Sequence, residues 1–378
     1  MKSSLLSPFG NTSSLNQAGL NGDGYLDMIT TNPSGWVGVM FGKPGGTFNA
    51  GATYALGSFT AQATAAGDFN GDGILDIAVL NYGPGSVSVM LGRGNGLFLP
   101  IPVRYKSGAV GTQFAVGDVN RDGKLDILVA QNPINNSAPY GLLLGNSDGT
   151  FQPGKLLQSI CDYGTNQLML VDLNGDGNLD AVTQSGVSLG NGDGTFRKWM
   201  SFSTSDMDYA GQSFALGDFN NDGKLDLALS DWRLTNTISI HLGNGTGQFN
   251  ASSSYHYIFP LEIQPGAIAV GRFTRDGNLG VVAGSREQGS SYSQRIAHGM
   301  FKIFAGQGDG TLLPGNSFQL LQDLSEFSVA DFNGDGLDDV AVFNQGSTDS
   351  DVEGLFERIR LSNAPVVPLG LVVDLSYE

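Results

Sequence analysis

Nine residues, Asp68-Phe69-Asn70-Gly71-Asp72-Gly73-Ile74-Leu75-Asp76, recur along this chain and constrain what it can fold into. The same pattern starts again at Asp118, Asp172, Asp218 and Asp331, and altered copies start at Gly19 and Arg272. The seven starts are 49, 50, 54, 46, 54 and 59 residues apart. A period this regular means one supersecondary unit repeated, each copy burying its apolar surface against the next.

Between copies the grammar is constant. Ala63 to Gly67 reads as a short strand of small residues entering the nonapeptide, and Asp76 to Asn81 as a second strand. Tyr82 to Gly85 is a turn, and Ser86 to Leu91 is a third strand with Val87, Val89 and Leu91 alternating. A glycine-rich turn from Gly92 to Phe98 then closes on an aromatic, and a fourth strand follows. That turn recurs at Phe41 to Phe48, Gly145 to Phe151, Gly190 to Phe196, Gly243 to Phe249 and Gly306 to Leu312. No helix follows these glycines and no Lys-Ser/Thr pair ends them, so they are not phosphate loops. They read as hairpin turns, each anchored by a buried ring. Four short strands per repeat, apolar on both faces, predict an all-β chain: one seven-bladed β-propeller of four-stranded antiparallel blades over residues 1–378.

The nonapeptide has its own chemistry. Side-chain oxygens fall at positions 1, 3, 5 and 9, and the position-7 carbonyl adds another. Ca²⁺ takes about six to eight oxygen ligands in flexible geometry, and carboxylates this close repel one another without a cation. The candidate ligands are Asp68, Asn70, Asp72, Ile74 and Asp76; Asp118, Asn120, Asp122, Lys124 and Asp126; and Asp172, Asn174, Asp176, Asn178 and Asp180. The later copies add Asp218, Asn220, Asp222, Lys224 and Asp226, then Asp331, Asn333, Asp335, Leu337 and Asp339. At every position 7 the donor is the main-chain carbonyl. The expectation is five Ca²⁺ ions. The copy at Gly19 lacks its first carboxylate, and the copy at Arg272 keeps only Asp276 and Gly277, so its loop should be empty. An EF-hand is excluded, because position 12 is Val79 within a strand-like run rather than a glutamate. Consecutive RTX-type nonapeptides are excluded because these copies are far apart.

Charge now has a location. The formal net charge is −17, and each of the five intact loops places an Asp at positions 1, 5 and 9. Five divalent cations would cancel ten charges and leave about −7. No basic stripe appears, so nucleic acid is not an expected partner. No run approaches the ~20 apolar residues of a membrane helix. The single cysteine, Cys161, rules out an intramolecular disulfide framework. Calcium loops of this kind suit the micromolar-to-millimolar calcium found outside the cell or in a periplasm. Met1 to Leu6 is too short an apolar run for a signal peptide, so the chain reads as a mature or trimmed piece of an exported protein, part of a larger chain.

The pairing of Asp-Phe-Asn-Gly-Asp-Gly-x-x-Asp with Leu-Gly-Asn-Gly-x-Gly-x-Phe resembles the FG-GAP (VCBS) repeat, found in integrin α-subunit heads and many exported bacterial proteins. The resemblance covers nearly the whole chain. It implies a seven-bladed propeller with calcium in the loop between the first two strands of a blade. The sequence departs from it at Gly19, Arg272 and Gly280, at Asp338 where the other copies have leucine, and at Leu361-Ser362-Asn363 where the closing turn has decayed. Ring closure has two candidate strands, residues 1–12 and 366–375.

Strand parity sorts the connections. The nonapeptide and the Gly-rich turn are the first and third connections of a blade and share one end. Segments 131–141, 250–266, 284–299 and 344–354 fall at the other. Variable loops on a rigid scaffold carry recognition. The candidates there are Trp36, Tyr82, Tyr140, Trp232, Arg233, Tyr255, His256, Tyr257, Arg286, Tyr292, Arg295 and His298. The densest group, Tyr255, His256, Tyr257, Arg286, Tyr292, Arg295 and His298, is the expected ligand site. The function expected is extracellular binding or adhesion toward a protein or a glycan, stabilised by calcium. The alternative is a propeller-type polysaccharide lyase or hydrolase using His, Tyr and Arg on that same face. No catalytic nucleophile motif is present, and His241 reads as a buried strand residue.

Overall fold

The computed structural model describes residues 3–4, 14–32, 35–57, 60–82, 85–99, 102–131, 140–157, 167–202, 213–231, 237–249, 255–258, 263–287, 300–319, 324–344, 355–359 and 372–376. Its described elements are all β. A two-residue strand, β1 (Ser3–Ser4), precedes the first four-stranded sheet, β2 to β5 (Ser14–Ala18, Asp27–Asn32, Trp36–Lys43, Thr47–Ala55). The second sheet is β6 to β9 (Thr60–Gly67, Asp76–Tyr82, Ser86–Met90, Val103–Lys106), and the third is β10 to β13 (Gly111–Gly117, Asp126–Gln131, Tyr140–Leu143, Lys155–Leu157). The fourth is β14 to β17 (Leu168–Val171, Asp180–Thr183, Gly186–Ser188, Met200–Ser201), and the fifth is β18 to β21 (Ser213–Gly217, Asp226–Asp231, Thr237–His241, Tyr255–Ile258). The sixth is β22 to β25 (Ile263–Gly271, Gly280–Glu287, Met300–Gly306, Leu312–Gln319). In each of the six the strands follow chain order and run antiparallel, the blade pattern of a β-propeller.

Six such blades form, not the seven expected. The repeat starting at Asp331 builds a different sheet from β26 (Leu324–Ala330), β27 (Asp339–Asn344), β28 (Leu355–Ile359) and β29 (Val372–Ser376), in the order β1-β28-β29-β27-β26. Here β29 lies between β27 and β28, parallel to β27 and antiparallel to β28. The physical reason lies in the decayed closing turn. Without a Gly-rich hairpin after the third strand, the slot beside β27 is open and the later segment fills it. Both candidate closing segments enter this sheet, with Ser3 and Ser4 against Arg358 and Glu357 at its outer edge.

The chain clusters into two compact units. Thr12–Gly42 with Asn49–Ser203 holds the first four sheets except Lys43 of β4 and Thr47–Phe48 of β5; Met1–Asn11, Lys43–Phe48 and Thr204–Glu378 make the other. Inside each unit the core repeats between neighbouring sheets. Ile29, Val37 and Val39 of the first sheet pack with Ile77, Val79 and Met90 of the second, whose other face, Ala78, Leu80, Val87 and Val89, meets Ile127 and Val129 of the third. In the second unit Ile238 and Ile240 meet Val281 and Ala283, and Val282 and Ile303 meet Val340 and Val342. A central strand is therefore covered on both faces, and β8 and β20 are buried throughout. Outer strands differ, since β9 is exposed at three of its four positions. Among the described residues no helix is long and apolar enough to cross a membrane.

Candidate functional site

Each nonapeptide forms a tight loop between the first and second strands of its blade. Its oxygens first serve the loop's own backbone. Asp68 Oδ1 accepts hydrogen bonds from the amides of Asn70, Gly71 and Asp72, and Oδ2 accepts from Gly73 at 2.8 Å. Asn70 Oδ1 accepts from the Asp72 amide at 2.9 Å and Asp72 Oδ1 from Ile74 at 2.8 Å. Burial pushes the Asp68 carboxyl up, but the amides of Gly73, Gly71, Asn70 and Asp72 outweigh it and hold it below the ordinary value. The pattern returns at Asp172 and Asp331.

The ninth residue has a role that the ligand pattern did not announce. Asp76 is wholly buried; its Oδ2 accepts from the Phe69 amide at 2.9 Å and its Oδ1 from the Gly92 amide at 2.8 Å. It ties the nonapeptide to the Gly-rich turn of the same blade. Asp27, Asp126, Asp180 and Asp226 make the same two bonds, to the position-2 amide and to Gly42, Gly145, Gly190 and Gly243. Asp339 keeps the bond from Phe332, and its other oxygen takes the Asn333 amide group, because the last repeat has no Gly-rich turn to offer. Burial raises all five turn-linked carboxyls against the pull of their amides, Asp126 to about 6. The signal was present in the sequence: the first turn glycine is invariant across these five repeats. A Cβ on Gly92 would stand 2.2 Å from the Leu75 carbonyl oxygen, so only glycine brings its amide to Asp76.

A second contact joins neighbouring blades. The Gly149 amide donates to the Phe69 carbonyl at 3.0 Å, and Gly96 to Leu20, Gly194 to Val119 and Gly310 to Phe219 at 2.9–3.1 Å. Beside it, the Phe69 and Phe151 rings lie 5.8 Å apart. In the other unit Phe48 meets Phe332 edge-on at the same separation. The expected anchoring rings are buried at Phe48, Phe98 and Phe151, but Phe196 and Phe249 are only half-buried. Gly96 adopts φ +74°, and a Cβ there would overlap the Phe41 ring.

The altered sixth loop is held differently. Thr274 Oγ1 and the Asn278 amide both bond Asp276 Oδ1, and the Arg272 amide donates to Asp338 Oδ2 at 2.6 Å. A Cβ on Gly280 would meet the Phe304 carbonyl oxygen at 2.4 Å, so this position has no room for the missing carboxylate. Asp338, where other repeats carry leucine, is thus the partner of the sixth loop's backbone.

For calcium, the donors of the five intact loops are all hard oxygens, which suits Ca²⁺ and no softer ion. One carboxylate oxygen, Oδ2 of position 5, takes no backbone bond and faces a side chain instead: Asn70 Nδ2 at 2.9 Å for Asp72, Asn174 Nδ2 at 3.1 Å for Asp176. The donor set fits the ion in kind. Among the described residues, however, no three or more Asp, Glu, His or Cys side chains converge as a metal site.

The opposite blade ends are partly described. Trp36 and Tyr82, 43% and 50% exposed, stand there at strand termini. Tyr140 does not reach that surface; it is fully buried between the third and fourth sheets. Tyr255, His256 and Tyr257 lie on the outer strand β21 rather than in a connection, because the fifth blade recruits this β-prone run as its fourth strand. Arg286 lies on β23 opposite Gln264, near the strand end away from the nonapeptide. Trp232, Arg233, Tyr292, Arg295, His298 and Cys161 fall outside the described residues. His241 is buried and shares a 2.8 Å hydrogen bond with Ser239, as a structural histidine should.

These loops, turns and blades match known repeats. The FG-GAP-like repeat family matches residues 19–79, 68–129 and 184–229, and the FG-GAP repeat family matches residues 325–354. The chain carries FG-GAP repeats. No curated protein sequence matches it significantly. Among solved structures, the FG-GAP chain is similar to BBS1N in a complex with ARL6DN soaked with mercury, with a TM-score of 0.56 at 9% identity, covering 91% of this chain and 92% of that one. The lead-soaked form gives a TM-score of 0.58 at 9% identity, covering 91% and 93%. At this identity the likeness concerns the fold.

Proposed function

We propose that this FG-GAP propeller is a calcium-stabilised binding module that recognises a protein partner through the blade ends opposite its nonapeptide loops. One observation carries the reading. At the nonapeptide end, the amides and carboxylates are engaged in tying loop to turn, through Asp76 and Gly92, and blade to blade, through Gly149 and Phe69. Little there is left to vary for a particular ligand. The opposite ends carry the long connections and the exposed Trp36 and Tyr82, and aromatics with arginine are common recognition anchors. The similar BBS1N fold is itself seen in a complex with another protein, which favours a protein over a glycan as the partner class. In this reading, calcium in the five intact loops suits a working environment outside the cell or in a periplasm.

The test is a protein and glycan array screened in calcium, followed by two variants. Tyr257→Ala/Arg286→Ala/Tyr292→Ala should abolish whatever binding is found and leave the melting temperature nearly unchanged. Loss of binding on altering the Gly190–Phe196 turn, with the triple variant still active, would place the site at the wrong end. A lyase assay on anionic polysaccharides run beside it separates the enzymatic alternative.

A further inference from the structure

The five intact loops are not electrostatically equal. In two of them the seventh residue is lysine, and its ammonium sits on the position-5 carboxylate: Lys124 Nζ is 3.5 Å from Asp122 Oδ2, and Lys224 Nζ is 3.6 Å from Asp222 Oδ2. Those oxygens are the ones that, at Asp72 and Asp176, face a neutral asparagine amide. Among the described residues neither Asp72, Asp176 nor Asp335 is in an ion pair. Lys124 also lies near Asp148 of the closing turn, whose carboxyl is held low first by Thr150 and lastly by that ammonium. Arg121 reaches the next loop, but its guanidinium bonds the neutral Asn178 Oδ1 at 3.5 Å and leaves Asp176 free of it.

We infer that Lys124 and Lys224 grade the loops, so that the Asp118 and Asp218 loops bind calcium more weakly than the Asp68, Asp172 and Asp331 loops. The inference rests on the calcium reading above. A divalent ion entering a lysine-paired loop must displace an ammonium from a ligand oxygen, and then stands near a like charge. Both effects act against binding, and a partly exposed unit charge at this range is worth about fivefold in affinity. The first does not operate where an asparagine amide holds the oxygen, and at Asp176 the second acts only through Arg197, which, behind the Asn178 amide, lowers that carboxyl from a distance without forming an ion pair. Loops that fill in two stages spread the stabilisation over a wider calcium range than five equal sites would.

The experiment is a calorimetric CaCl₂ titration of the chelator-stripped full chain at low ionic strength. The wild type should need two classes of site, the weaker containing two. Lys124→Gln/Lys224→Gln should tighten that weaker class about fivefold with the total number of sites unchanged. Lys155→Gln, an exposed lysine on β13 away from the loops, serves as the control. An isotherm unmoved by the double change, or moved as much by the control, overturns the inference while leaving calcium binding intact. An absence of binding in all three proteins overturns the calcium reading itself, and this inference with it.

Discussion

The main-chain amide of Gly149 donates to the carbonyl oxygen of Phe69 at 3.0 Å, joining the Gly-rich turn of one blade to the nonapeptide of the preceding one. The Phe69 and Phe151 rings pack beside that bond, and Tyr105 stacks edge-on with Phe151 at 5.0 Å. Phe151→Ala should therefore destabilise the chain by about 3–5 kcal/mol, the usual cost of emptying a buried ring site. Leu156→Ala, at a position 58% exposed on β13, should cost almost nothing. Urea unfolding of the two variants checks the contrast.

Asp72 and Asp76 belong to one loop but should respond differently to calcium. Asp76 is buried with both oxygens accepting backbone amides. Replacing one oxygen by an amide group in Asp76→Asn points a donor at a donor, at a cost of about 1–3 kcal/mol whether or not calcium is present. Asp72 is exposed, and Asp72→Asn should weaken the fold only in calcium. Melting curves in CaCl₂ and in EGTA for both variants separate the clamp from the ligand.

The buried clamps also give the metal-free fold a pH dependence. Burial raises Asp126 to about 6, and raises Asp27, Asp76, Asp180 and Asp226 in the same direction. A carboxyl whose folded value lies above its unfolded 3.8 favours the fold most at low pH, and this contribution is lost as pH rises through the folded value. Calcium works the other way, since it binds the ionised carboxylate. The gap in melting temperature between CaCl₂ and EGTA should widen from about pH 4.5 to about pH 7. A gap independent of pH would mean that calcium does not engage these loops.

Much of this was legible beforehand. The repeat period and the alternation of Val87 and Val89 gave four strands per blade, and the turn aromatics at Phe98 and Phe151 are buried as expected. The last repeat departs from the expected blade because its strands do not follow chain order. Insertion of β29 beside β27 is a long-range pairing that no local pattern encodes. A long, variable segment suggests a surface position for Tyr140, yet its register opposite Ala130 and Leu157 buries it. The double role of the ninth aspartate was hidden for another reason. A ligand motif and a backbone clamp call for the same carboxylate, and only the position of Gly92 tells them apart.

Calcium occupancy of the nonapeptide loops is the central claim. Elemental analysis of the full chain, dialysed to equilibrium in ~1 mM CaCl₂, counts it directly. The account predicts about five calcium ions per chain, none of them lost on Arg272→Ala, and a melting temperature that falls sharply in EGTA, since a ligand at a hundredfold its dissociation constant adds about 2.7 kcal/mol per site. Calcium no higher in the protein than in the dialysis buffer, with an unchanged melting curve in EGTA, would contradict it.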